Sequence, residues 1–174
     1  MLDKLLVSGV LIWCIVMANW LTSEFGLVPA GFGLMVTAGT YAAGLALGVR
    51  DWLQDTAGTW WVFGAIAVGG VVSYWLADPV IALASAAAFT VSELCDMAIY
   101  TPLRGKTWPG AVALSNLVGA IVDTIIFIGI AGSVLGTTIW AAMPGQLVGK
   151  GWATLAFVLV MGGWRAVSVR RRTV

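Results

Sequence analysis

Two apolar stretches decide how this chain folds: Phe89-Thr90-Val91-Ser92-Glu93-Leu94-Cys95-Asp96-Met97-Ala98-Ile99-Tyr100 and Ser115-Asn116-Leu117-Val118-Gly119-Ala120-Ile121-Val122-Asp123-Thr124. Both are greasy enough to cross a bilayer, yet both carry acids. A carboxylate at the centre of a membrane helix costs at least about 2.5–3.5 kcal/mol on insertion scales, so it is rarely there without a partner or a task. Glu93, Asp96 and Tyr100 stand at i, i+3 and i+7, on one helical face. Asn116 and Asp123 are seven apart, again on one face, with the small Gly119 between them. An amide glues helices cheaply; three carboxylates repel one another in a low-dielectric interior and need cations, protons or a ligand. The two faces together predict a polar cavity lined by Glu93, Asp96, Asn116 and Asp123.

The rest of the chain supports lipid as its solvent. Of 174 residues, 60% are hydrophobic and 10% charged, against about 25% charged in a soluble domain. The net charge of +1 gives no reason to expect a nucleic-acid partner. There is no histidine, hence no customary zinc or haem ligand and no ready base near neutral pH. Cys14 and Cys95 match no metal or redox spacing and read as ordinary thiols. No cofactor is expected. An intramembrane enzyme would need acid–base chemistry from the acids alone, without His, a Cys–base pair or a metal cluster, so a non-enzymatic role is expected. A scaffold that binds only other helices leaves the buried acids unexplained. Lys4 and the apolar run after it loosely imitate a cleaved leader. A retained first span is the preferred reading, because Asn19 and Thr22-Ser23-Glu24 look like part of a site.

Six stretches reach the length of a span, roughly 5–22, 30–49, 59–77, 79–100, 110–131 and 146–167. Pro29, Gly58, Asp78-Pro79, Trp108-Pro109-Gly110 and Pro144-Gly145 punctuate the connections. The expectation is an all-α membrane protein with six transmembrane helices in a single domain over 1–174. With six spans the termini and the second and fourth loops share a side. That side holds Lys4, Arg50, Arg104, Lys106, Arg165 and Arg170–Arg172, and the opposite side only Lys150. The positive-inside rule makes the first side, with both termini, cytoplasmic. Trp20, Trp61, Trp75, Trp108, Trp140 and Trp164 fall near span ends, as interfacial anchors should. Gly44/Gly48, Ser115/Gly119 and Gly132/Gly136 repeat at four-residue spacing, which fits either bundle packing or a homodimer face.

Lys150 begins the last span at a depth compatible with Asp123. It either pairs with that acid or snorkels to the interface. Arg50-Asp51 and Gln54-Asp55, after the second span, read as capping and surface pairing. Arg104 reads as an anchor, and Asn19 as lining an entrance.

These motifs resemble the vitamin uptake transporter (VUT) family, also described as queuosine precursor transporters. The resembling parts are Ala18-Asn19-Trp20-Leu21, Gly33 to Gly39, Arg50-Asp51, Ser92-Glu93-Leu94-x-Asp96, Ser115-Asn116-x-x-Gly119-x-x-x-Asp123-Thr124-x-x-Phe127 and Lys150. The resemblance implies a six-helix bundle similar to the substrate-binding component of energy-coupling-factor transporters. It implies a multi-pass protein of the cytoplasmic membrane, bacterial or phage-encoded in a bacterial host. It also implies import of a 7-deazaguanine, 7-cyano-7-deazaguanine or its aminomethyl form. The chemistry agrees: a guanine-like edge presents two donors beside a carbonyl, which a carboxylate and an amide or cation can read, while an aromatic ring stacks on the base. The substrate-binding residues so expected are Glu93, Asp96, Asn116, Asp123, Lys150, Asn19, Tyr100, Arg50 and Asp51. The alternative is a binding subunit for a vitamin-like solute that docks on a separate ATP-driven module, since the sequence has no Gly-x-x-x-x-Gly-Lys-Ser/Thr loop.

Overall fold

The computed structural model describes residues 2–172; beyond Ala153, side-chain surroundings are described at Leu155, Ala156 and Leu159 only. The order is α1 (Leu2–Phe25), β1 (Leu27–Gly31), β2 (Leu34–Thr37), α2 (Thr40–Ala57), α3 (Thr59–Leu76), α4 (Pro79–Leu103), α5 (Trp108–Leu135) and α6 (Ile139–Arg172). The protein is an all-α membrane protein of six helices with one small hairpin. Among the described residues, four helices are long and apolar enough to cross a membrane: Asp3–Phe25, Thr59–Leu76, Pro79–Leu103 and Gly110–Leu135. Of the other two, α2 carries Arg50, Asp51 and Asp55.

Local chemistry explains the boundaries. The Asp78 side chain accepts hydrogen bonds from the Val80 and Ile81 amides, and Pro79 follows at the first helical position, where its missing N–H is harmless. Gly136 ends α5 in the left-handed conformation.

The second predicted span is where the structure departs most from the sequence reading. Residues 27–37 are not helical. They form an antiparallel hairpin with Leu27 opposite Thr37 and Val28 opposite Val36. Its tip, Gly31-Phe32-Gly33, has φ of 89°, 55° and 74°, a left-handed run that two glycines make feasible and a helix cannot contain. The second helix therefore starts at Thr40 rather than near residue 30, and Arg50-Asp51 lie inside it, not in the loop after it.

The core of the bundle joins α1, α2 and α3 through Leu11, Ile15, Leu47, Leu53, Val62 and Ile66. The α4 and α5 helices pack along most of their length, and α2 and the hairpin lie against α6. A Cβ at Gly44 would stand 2.6 Å from the Ala153 methyl, so this glycine serves close packing of α2 on α6 within the bundle. A Cβ at Gly145 would collide with the Met35 carbonyl, which shows how tightly β2 is seated on α6. Outward faces are apolar, with Leu6, Trp13, Val71, Leu83 and Leu117 exposed, as lipid contact requires. Trp20, Trp61, Trp75 and Trp140 are exposed near helix ends. The expectations placed on Trp108, Trp164, Arg165 and Arg170–Arg172 lie outside the residues whose side chains are described.

Candidate functional site

The nine expected substrate-binding residues are all buried, and the structure sorts them into two groups at different depths and one separate contact. The first group centres on Arg50, 2% exposed. Its guanidinium reaches three helices. Nη1 donates to Glu93 Oε2 at 2.8 Å, and Nη2 donates to Asp51 Oδ1 at 2.8 Å and to Asn116 Oδ1 at 3.3 Å. Nε also donates to Asp51 Oδ1, at 3.2 Å, and Nη2 lies 2.9 Å from Asp96 Oδ1 as an ion pair. A planar fork of five N–H donors suits such a hub; a lysine could not span it. The reading of Arg50-Asp51 as surface capping is therefore corrected: the late start of α2 carries both side chains into the bundle. Arg50 also leaves the tally of cytoplasmic loop cations.

The second group sits toward the hairpin end of the bundle, where α1, β2, α2, α4, α5 and α6 converge on a narrow cavity. Ala18, Asn19, Thr22, Thr37, Thr40, Ser85, Phe89, Asp123, Phe127, Gln146 and Lys150 line it. Lys150 does not snorkel. Its ammonium is buried, ion-paired with Asp123 Oδ2, and donates to Thr124 Oγ1 at 3.0 Å. Gln146, one helical turn before Lys150 on α6, clasps the hairpin. Its Nε2 donates to Thr37 Oγ1 at 2.9 Å, and its Oε1 accepts from Thr40 Oγ1 at 2.7 Å. Asn19 Nδ2 donates to Ser73 Oγ on α3 at 2.9 Å, and the Gly39 amide donates to Thr22 Oγ1 at 3.2 Å. About 20 Å³ of the cavity is open to water-sized guests, room for about one water. A larger guest requires the hairpin or a helix to move.

Tyr100 stands apart from both groups. Its hydroxyl donates to Asp55 Oδ2 at 2.8 Å, and Arg104 pairs with Asp55 Oδ1 at 2.9 Å. This contact ties the end of α2 to the end of α4.

The expected four-residue lining thus divides. Asp123 is on the cavity with Asn19 and Lys150. Glu93, Asp96 and Asn116 face Arg50 one layer deeper. The sequence reading missed Gln146, Thr37 and Thr40. Gln146 had a signal, since 146 and 150 share a helical face. The two threonines had none once residues 30–49 were read as a helix.

What the arrangement offers chemically is a mouth of amide, hydroxyl, ammonium and carboxylate groups edged by two phenylalanines, above a charged layer of three acids around one arginine. A family model described as "Putative vitamin uptake transporter" matches residues 5–163. No curated protein and no solved structure matches.

Proposed function

The chain belongs to the vitamin uptake transporter family, and from that premise we propose that it imports a queuosine precursor, 7-cyano-7-deazaguanine or its aminomethyl form, across the cytoplasmic membrane. The observation that carries this reading is the buried cavity at the hairpin end, where Asn19, Asp123, Gln146 and Lys150 meet Phe89 and Phe127.

A flat base with a guanine-like edge needs donors and acceptors in one plane and apolar walls above and below. An amide such as Gln146 or Asn19 offers both kinds of partner at once. Asp123 reads two adjacent donors, Lys150 reads a carbonyl, and the phenylalanines cover the ring faces. The hydrogen bonds of Gln146 to Thr37 and Thr40 hold the hairpin down in the closed state. A base that takes over those bonds loosens the hairpin as it binds, so occupancy and opening are linked. Glu93, Asp96 and Asn116 lie on the same two helices, α4 and α5, deeper along the path. They are the next polar groups that a solute moving inward meets as the helices rock.

The test is rescue of tRNA queuosine in a bacterial host that lacks both its own importer and its own synthesis of the precursor, with 7-cyano-7-deazaguanine in the medium. The chain restores modified tRNA; Gln146→Ala, Glu93→Gln and Asn116→Ala, inserted in the membrane at normal levels, do not. Normal rescue by all three variants would remove the cavity from the account. Rescue that appears only when ATPase subunits co-purify with the chain would favour the binding-subunit alternative.

A further inference from the structure

The Arg50 cluster holds more negative charge than its one cation can neutralise. Asp51, Glu93 and Asp96 surround a single guanidinium, all four side chains at most 3% exposed. With every acid ionised the group carries two uncompensated negative charges inside a membrane-spanning bundle. Among the described residues, no second cation faces it from the helices that pack around it. The charges on α1 (Asp3, Lys4 and Glu24) lie at that helix's ends, and α3 has no charged residue. On α5 and α6, the described charges Asp123 and Lys150 pair with each other at the cavity. On α2 and α4 the next groups are Asp55, Tyr100 and Arg104, joined in their own contact.

A second observation points the same way and does not depend on charge. The cluster is short of donors. Asp51 Oδ2, Glu93 Oε1 and Asp96 Oδ2 are buried and receive no hydrogen bond, among the described residues, and Asp96 Oδ1 meets Arg50 only as an ion pair. Asn116 Nδ2, on the amide whose oxygen faces Arg50, has no acceptor. Buried acceptors left unmatched each cost about 1–3 kcal/mol. A proton placed on a carboxyl removes one negative charge and turns one acceptor into a donor for its neighbours, so it answers both deficits. The acids do not converge as a set of three ligands on one point, among the described residues, which favours a proton over a metal ion.

We propose that the Asp51–Glu93–Asp96 cluster around Arg50 binds an exchangeable proton that enters with the solute, making import proton-coupled. This rests on the importer reading for its transport half alone. Proton uptake at the outer-facing stage removes one of the two excess negative charges and lets the guanidinium release one of its carboxylates, which frees that group for the incoming base. Loss of the proton inward returns that carboxylate to Arg50, and the next proton from outside restores the resting, protonated hub. Carboxyl chains in membrane pumps and transporters serve as relays on the same principle.

Two measurements test it separately. Infrared difference spectroscopy on purified wild-type protein, at about pH 7 where exposed carboxylates are ionised, should show the carbonyl stretch of a protonated carboxyl. The band should shift when the protein is made with carbon-13 aspartate or glutamate, persist in Asp123→Asn, and vanish in whichever of D51N, E93Q or D96N removes the bearer. Even if those variants do not fold, a shift with carbon-13 glutamate assigns the band to Glu93, since Glu24 is exposed, and a shift with carbon-13 aspartate that persists in Asp123→Asn assigns it to the cluster. Absence of the band in wild-type protein overturns the proton site.

The second measurement uses proteoliposomes with the potential clamped at zero and radiolabelled 7-cyano-7-deazaguanine outside. An interior more alkaline by about one pH unit should drive about tenfold accumulation for one proton per solute. Equilibration without accumulation, or accumulation driven by sodium instead, overturns the coupling. No uptake under any gradient overturns the importer reading and the coupling with it, while the infrared band still reports on the site.

Discussion

At the scale of single residues, Arg50 is the side chain on which most depends. It holds α2 to α4 and α5 through Glu93, Asp96 and Asn116. Removing one partner of a buried ion pair is far worse than never having built it, because the remaining charges stay desolvated. Arg50→Ala should therefore destabilise the detergent-solubilised protein by about 3–5 kcal/mol in chemical denaturation. Arg50→Lys should recover only part of that, since a compact ammonium cannot reach Asp51, Glu93 and Asp96 together. Equal stability of all three proteins would show that the hub bears no load. The Lys150–Asp123 pair obeys the same logic one layer away. Lys150→Met and Asp123→Asn should each destabilise strongly, and the double variant less than the sum of the two. A double-mutant cycle by thermal unfolding measures the difference, and strict additivity would mean that the two groups do not interact.

Among the elements, the hairpin is the one most directly tied to transport. It is anchored at its base, where Thr37 and Thr40 meet Gln146, and free at its tip, where Phe32 is 87% exposed. A Cβ at Gly149 would lie 3.7 Å from Thr40 Cβ, within the spacing of a disulfide. In a Cys14→Ala, Cys95→Ala background, Thr40→Cys with Gly149→Cys should cross-link on oxidation, block uptake, and regain uptake on reduction. Uptake indifferent to the cross-link would mean that α2 and α6 need not part.

This element was also the least legible in the sequence. Leu-Met-Val-Thr and its flanks are apolar enough to pass for a span, and hydropathy cannot tell a short buried strand from a helix segment. The turn chemistry was present, in Pro29 and the glycines around Phe32, but it sat inside a run of the right length. That one misplacement had a consequence at a distance: it moved Arg50 and Asp51 to a loop and hid Thr37 and Thr40 from the site. By contrast the fourth and fifth helices, with their acids on predictable faces, were readable because helical spacing alone fixes which residues are neighbours. The spacing could not say which cation those acids would meet, since that is settled by packing between helices.

For the molecule as a whole, the sequence pattern of basic residues still orients the bundle after Arg50 is withdrawn from the count, for Lys4, Arg104 and Lys106 remain on the side opposite the hairpin. By the positive-inside rule this pattern predicts that the hairpin faces outward, with the solute approaching over it. Phe32→Cys in intact cells should react with a membrane-impermeant maleimide, and Lys106→Cys only after permeabilisation. The reverse pattern would invert the bundle.

A polar interior of this kind calls for a guest, and equilibrium binding of radiolabelled 7-cyano-7-deazaguanine to the purified protein measures that without reference to energy source or direction. Saturable binding should be seen, weakened by about tenfold or more in Gln146→Ala, a loss of about 1.4 kcal/mol, and unchanged in the surface variant Trp75→Ala. No saturable binding, or the same affinity in wild type and Gln146→Ala, would contradict it.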